Sequence, residues 1–373
     1  MKELTAFYQA ADNPGALGRR ITRRKILGTL CSYAPEELIH AAGYHPMRLF
    51  PSGSDNHLTR NHLQAYCCSL ARGVLADSLD GTLDFLYGTV LVHTCDTMQR
   101  LSDIWRLQGR YRFFADVILP VRFDTRSAQN YLMSVLERFK ADLEADTGTP
   151  VTPEALAASI RVYNRIRTSL SGIQTLNTRY PGIVKNTDMA ALVKGAMIMD
   201  RETAAGLLEK LARQLASAVT ALQTSGTVIN KRIFLSGSAC DMTGLHDLFQ
   251  QIGAVVAGDD LCTGRRWFDT LTREDQAPMT AVARRYMHRS TCPAKHRGLF
   301  SRAELLIEQV RQSQADGVVF VLLKFCDPHA FDYPYLKAHL DGAGIRSLLL
   351  ELDGTRDITG QTATRLETFL HML

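Results

Sequence analysis

The stretch GVVFVLLKFCDPHAFDYP, residues 317–334, decides the fold. It opens on an unbroken apolar run, 317–324, with no polar alternation. Such a run reads as a strand buried on both faces, the kind found in parallel sheets. A cysteine and an Asp-Pro pair follow at once. Similar runs stand at 25–30, 83–93, 112–119, 232–235, 254–257 and 346–351. Helical patterns lie between them, at 58–77, 97–107, 126–146, 153–172, 188–198, 201–224, 273–288, 302–314 and 334–341. One more, PEELIHAAG, has Pro35 near its start and Gly43 at its end, the usual helix punctuation. Strands alternating with helices predict an α/β protein with parallel sheets. The middle of the chain is nearly all helical. We therefore expect an N-terminal α/β lobe over 1–125, a helical connector over 126–225 and a C-terminal α/β lobe over 226–373.

The chain has 373 residues, 46% hydrophobic and 22% charged, which is the composition of a soluble globular protein with an ample core. No apolar run approaches the roughly 18 residues of a membrane span. The first residues, MKELTAFYQAADNPGALGRR, lack the apolar segment of a secretory signal. A cytoplasmic location with no membrane contact is the default expectation. The net charge of +5 suits an anionic substrate but is too small and dispersed for a nucleic-acid binder. Its one dense basic run, Arg19, Arg20, Arg23, Arg24 and Lys25, reads first as a solvated face. Neither a G-x-G-x-x-G turn after a strand nor a G-x-x-x-x-G-K-[ST] loop occurs, and there is no G-x-S-x-G elbow. ATP binding and serine-hydrolase chemistry by this chain are thereby disfavoured.

Eight cysteines are the informative number. Five of them, Cys31, Cys95, Cys240, Cys262 and Cys326, sit at or just beyond the C-terminal ends of expected strands. That edge is where open parallel sheets bind ligands, whereas structural cysteines would be scattered. No C-x-x-C pair suggests a zinc ribbon. Soft thiolates converging from distant segments fit an iron–sulfur cluster in a cleft between lobes better than a zinc staple.

Four segments then carry a family resemblance. They are CSYAPEELIHAAGYHPMRL (31–49), AYCCSLARG (65–73), VHTCDTMQRLSDIW (92–105) and KFCDPHAFDYPYLK (324–337). In this order and spacing the chain resembles subunits of 2-hydroxyacyl-CoA dehydratases and ATP-dependent benzoyl-CoA reductases. The resemblance implies two Rossmann-like lobes with a 4Fe-4S cluster between them. It implies a homologous second subunit, an ATP-hydrolysing iron–sulfur activator and an acyl-CoA substrate. The implied ligands are Cys68, Cys95 and Cys326. Cys67 is an alternative to Cys68, which matches a C-P-x-x-R pattern with Ser69 in place of Pro and Arg72 retained. GDDLCTGRRWF (258–268) and STCPAKHR (290–297) look more like the benzoyl-CoA reductase branch and like double-cubane cluster proteins. On that likeness Cys240, Cys262 and Cys292 form a second ligand set, and the two sets together would hold an 8Fe-9S double cubane.

Reduction of a thioester-conjugated system needs an electron at the low end of iron–sulfur potentials and a positioned acid. Candidate acids near the cysteines are His93, Asp96, His296, His329 and Tyr333, with His296 preferred. Ser32 and Tyr33 are candidates to face the substrate carbonyl. Lys295, Arg265 and Arg266 are candidates for the CoA phosphates. Trp105 and Trp267 read as core or subunit-interface residues. The expected activity is an aromatic acyl-CoA reductase subunit. The alternatives are a radical 2-hydroxyacyl-CoA dehydratase subunit and a non-catalytic, cluster-carrying paralogue.

Overall fold

Eight strands form two separate sheets, and every pairing is parallel. The computed structural model describes residues 2–21, 23–53, 56–221, 231–238, 243–298, 300–353 and 360–373. The first sheet holds β1 (Ile26–Thr29), β2 (His45–Arg48), β3 (Gly88–Val92) and β4 (Phe113–Val117), in the order β2-β1-β3-β4. The second holds β5 (Lys231–Gly237), β6 (Ala254–Asp260), β7 (Gly317–Leu323) and β8 (Arg346–Leu352), in the order β6-β5-β7-β8. The two sheets share one topology. In each, the connections run outward in opposite directions from the two central strands. The crevice at the carboxyl ends of such a pair is the usual ligand site of an open α/β sheet.

The expected α/β class holds, and its cause is visible in β7, which is buried along its whole length. Between the sheets run the helices Arg126–Thr147, Pro153–Arg179, Asn186–Ile198 and Arg201–Ala221. Thr125 and Thr152 cap the first two by accepting an amide hydrogen, and Pro153 follows in the first turn. The last three helices join the sheets: Leu170, Leu192 and Leu208 belong to one cluster with Ile26 and Leu91 of the first and Leu235 and Val319 of the second. Each such buried side chain contributes about 1.5–3 kcal/mol.

After β6 the chain crosses back. The helix Pro278–His288 packs on the first sheet, where Val282, Ala283 and Tyr286 join Leu27, Val90 and Leu136, and Cys292 closes the same cluster. The His296 amide then donates to the Val121 carbonyl at 2.8 Å, and the Phe123 amide to the His296 carbonyl at 2.9 Å. These bonds fix the loop after Cys292 beside the exit of β4.

Several elements differ from expectation. Two N-terminal helices, Lys2–Asp12 and Pro14–Arg20, were not anticipated, nor was β2. The expected helix 58–77 is a 3-10 turn, Asn56–Thr59, followed by a helix, Ser69–Leu79. The expected helix 334–341 begins earlier, at Asp327, and carries Pro334 inside it. Expected helix 273–288 starts only at Pro278, where the proline sets the first turn. Trp105 and Trp267 are both buried. Among the described residues, no helix is long and apolar enough to cross a membrane.

Candidate functional site

Three cysteines occupy the N-cap positions of three helices. Cys68 precedes Ser69–Leu79, Cys95 precedes Asp96–Gln108 and Cys326 precedes Asp327–Gly342. The first amides of each helix oppose the rise that burial causes in its thiol: those of Leu70 and Ala71 for Cys68, of Met98 for Cys95 and of His329 for Cys326. The positive ends of the helices favour thiolates there. All three sulfurs line one cleft of about 410 Å³, with Asp96, His296, Phe325 and Phe331 at its walls. Phe325 is held at a φ of +63°, in the turn that delivers Cys326. Burial pushes the Cys95 thiol up to about 12, and the proximity of Cys68 and Cys31 adds to the rise. Burial likewise raises Cys68 and Cys326, and Cys326 feels Cys68, Cys262 and Cys95 in turn. The thiols therefore stay protonated until a metal displaces the protons.

A second thiol group lies deeper. The neighbouring Cys292 thiol, with the Arg266 and Arg48 guanidinium groups, holds Cys262 down at about 5; Cys292 itself is pushed up. Arg266 Nη1 donates to Cys262 Sγ at 3.2 Å. Gly264 makes this turn possible, because a Cβ there would lie 1.9 Å from Asp259 Oδ1, which accepts the Leu261 and Arg265 amides. Cys31 Sγ accepts the Tyr33 amide at 3.5 Å and is in electrostatic reach of both Cys95 and Cys292. A side-chain path joins the two groups. Arg266 Nη2 lies 3.2 Å from His329 Nε2, and His329 Nδ1 lies 3.3 Å from Cys326 Sγ.

Buried positive charge surrounds the deeper thiols. Arg48, Arg266, Arg289 and Lys295 are 3%, 1%, 1% and 2% exposed. Arg266 is paired with Asp260 at 2.7 Å, whereas Nε and Nη1 of Arg48 have no partner among the described residues. An unpaired buried cation is costly unless an anion meets it. Thiolates from several elements, helix N-termini and surplus buried cations form a donor set that fits an anionic iron–sulfur group. Among the described residues, no three His, Cys, Asp or Glu side chains gather to hold a single metal ion. A cluster places iron and sulfide between its thiolates and so takes cysteines set wider apart.

Residues 31–373 match the family described as 2-hydroxyglutaryl-CoA dehydratase, D-component. The chain belongs to that family. It is 28% identical over 352 residues to the (R)-phenyllactyl-CoA dehydratase beta subunit of Clostridium sporogenes, covering 94% of this chain and 92% of that one. It is 29% identical over 322 residues to a benzoyl-CoA reductase subunit of Thauera aromatica, covering 84% and 81%. It is 27% identical over 363 residues to the beta subunit of (R)-2-hydroxyglutaryl-CoA dehydratase of Acidaminococcus fermentans, covering 94% and 93%.

In this D-component family member the residues singled out from sequence fall into several distinct places. Cys68, Cys95, Cys326 and His296 share the cleft. Cys262 and Cys292 form the deeper pair, and Cys240 lies outside the described residues. Ser32 and Tyr33 are buried and turned to protein partners: Ser32 Oγ accepts from Arg289 Nη2 at 3.0 Å, and the Tyr33 hydroxyl accepts the Cys292 amide at 3.2 Å. Of the phosphate candidates, Arg265 is half-buried. Arg266 and Lys295 are both buried; Lys295 Nζ donates to the carbonyls of His93 and Leu119 at 3.4 and 3.3 Å. His329, weighed as an acid, is buried between Arg266 and Cys326. Sequence reasoning missed Arg48 altogether and left Cys31 out of the ligand sets, although its strand-end position matches that of Cys95.

Proposed function

We propose that this chain is the iron–sulfur subunit of an ATP-dependent, low-potential acyl-CoA reductase of the benzoyl-CoA reductase type. The observation that carries this reading is the meeting of two thiol groups, linked through Arg266 and His329. In it, Cys68, Cys95 and Cys326 hold a 4Fe-4S cluster. Cys262 and Cys292, with Cys240 as the third ligand proposed from sequence, extend the site to a double cubane. Bound there, the group supplies single electrons at low potential, toward the lower end of roughly −700 to +450 mV. A net reduction needs more than one electron, which favours a site with room for two linked clusters.

The remaining roles belong to the chain's own residues. The three helix N-caps orient the outer thiols. Phe325 and Phe331, both exposed at the cleft, form an apolar rim from which a covering subunit would exclude water. His296, exposed on the cleft wall, holds the proton given to the substrate. Arg265, Arg266 and Lys295 are proposed for the CoA phosphates. Ser32 and Tyr33 act beneath the site, where the Tyr33 hydroxyl fixes the backbone that presents Cys292. The relatives are named as subunits of dehydratases and of a reductase, which supports work alongside a homologous second subunit and an ATP-hydrolysing activator. Segments 1–125, 126–225 and 226–373 serve in this reading as lobe, connector and lobe.

A second reading, a radical 2-hydroxyacyl-CoA dehydratase subunit, draws support from relatives named as dehydratases that match nearly the full chain. One assay separates them: the purified complex is given benzoyl-CoA or a 2-hydroxyacyl-CoA without oxygen, and electrons consumed are counted against product. Consumption proportional to product supports the reductase. Catalytic electrons only would make the chain a dehydratase subunit, and full activity after this chain loses its iron would make it a brace.

A further inference from the structure

Arg48 is the last residue of β2 and stands in register with Thr29 of β1, just before the turn that carries Cys31. It is 3% exposed, and neither its Nε nor its Nη1 has a hydrogen-bond partner among the described residues. The charged groups that act on it most strongly are Cys31, Cys262, Glu36 and Arg289. Glu36 is already engaged, by Trp267 Nε1 at 3.3 Å and by Arg201 at 3.8 Å. Arg289 is a like charge, fixed over the Tyr33 ring at 4.4 Å and bonded to Ser32. The neighbouring cations each have partners: Arg266 has Asp260, and Lys295 has two carbonyls. Among the described residues, Arg48 alone of the four has two guanidinium nitrogens without an acceptor and no unshared carboxylate. The thiols within its electrostatic reach are Cys31 and Cys262.

We infer that Arg48 is a positioning residue for the anionic group that Cys31, Cys262 and Cys292 would hold, with Nε and Nη1 the donors available to it. The inference rests on the reading that the deeper thiols carry a cluster, and it adds Cys31 to them. A guanidinium in a dry site stabilises the more negative, reduced state of whatever lies against it. The same cation is a burden on the metal-free protein, where nothing meets it.

These opposite signs make the test. The full chain is prepared metal-free and reconstituted with iron and sulfide without oxygen, as wild type, Arg48→Met and Arg48→Lys. Metal-free Arg48→Met is expected to melt above wild type. Reconstituted Arg48→Met is expected to titrate at a more negative potential by electron paramagnetic resonance, while Arg48→Lys stays near wild type. Arg48→Gln carries the same comparison if the methionine variant does not fold. Loss of iron from the neutral variant, restored in Arg48→Lys, supports the same role. Wild-type iron and potential in Arg48→Met would overturn the inference and leave the cluster reading standing. Metal-free Arg48→Met melting well below wild type would also overturn it, by making Arg48 a packing residue. A wild-type chain that takes up only about four iron, rather than about eight, removes the deeper cluster itself and the inference with it.

Discussion

Cys67 and Cys68 are adjacent in the chain and face different surroundings. Cys68 caps a helix and lines the cleft with Cys95 and Cys326. Cys67 is 3% exposed, packs in the apolar core, and turns its thiol to Gln64 Oε1 at 3.9 Å. The expected outcome is that Cys68→Ser lowers the iron bound per reconstituted chain, while Cys67→Ser leaves both iron and visible absorption unchanged. A loss confined to the Cys67 variant would transfer the ligand role to it. Sequence left this pair open because a one-residue shift in a helix cap is invisible to motif matching. Burial of Arg266 was equally hidden. A charged residue in a Gly- and Asp-rich loop reads as solvated until the fold places Asp260, Cys262 and His329 around it.

The helix Glu36–Ala41 fixes the turn carrying Cys31, Ser32 and Tyr33, and its own anchor is an ion pair. Glu37 bonds Arg167 on the helix Pro153–Arg179, and both side chains are buried. Burial pushes the Glu37 carboxyl up, but Arg167 and Arg285 outweigh it and hold it at about 2, against an ordinary 4.5. The pair's stabilisation is therefore complete above about pH 4.5 and is lost as the pH falls through about 2. Glu37→Gln is expected to destabilise the protein by about 3–5 kcal/mol, because Arg167 is left buried and uncompensated. Denaturant unfolding at pH 7 measures it, and a change under about 1 kcal/mol would show that the pair does not hold this helix. Among elements, the long apolar strands were legible because both faces are buried. β2 was not, since HPMR has four residues, one a proline, and lies at the sheet edge, where proline is tolerated. Missing β2 is what concealed Arg48.

At the scale of the molecule, the alternation of strands and helices predicted the α/β class, and of the cysteines expected at strand ends Cys95 and Cys326 line one cleft. The return of 278–292 to the first sheet could not be read, because nothing local in the helix Pro278–His288 says which sheet it will cover. That return brings Cys292 from the second half of the chain to Tyr33 in the first. No phosphate-binding loop occurs in the sequence, and the relatives are named as subunits. The isolated chain is accordingly expected to hydrolyse no ATP and to turn over no acyl-CoA until a second subunit and an activator are added. Phosphate release and product formation, measured with each component withheld, check this, and ATP-driven turnover by the chain alone would refute it.

Cys68 and Cys95 stand on the first sheet's side of the cleft and Cys326 on the second's, each at the tip of a different helix. A metal group gripping all three would work as a clasp across the seam. Loading it would then tie the two halves together, and releasing a ligand would be the step that lets water or oxygen in. Vigilance over the cargo is then built into the same bonds that carry it, and exposure to air would be recorded first as a loosening of the two halves.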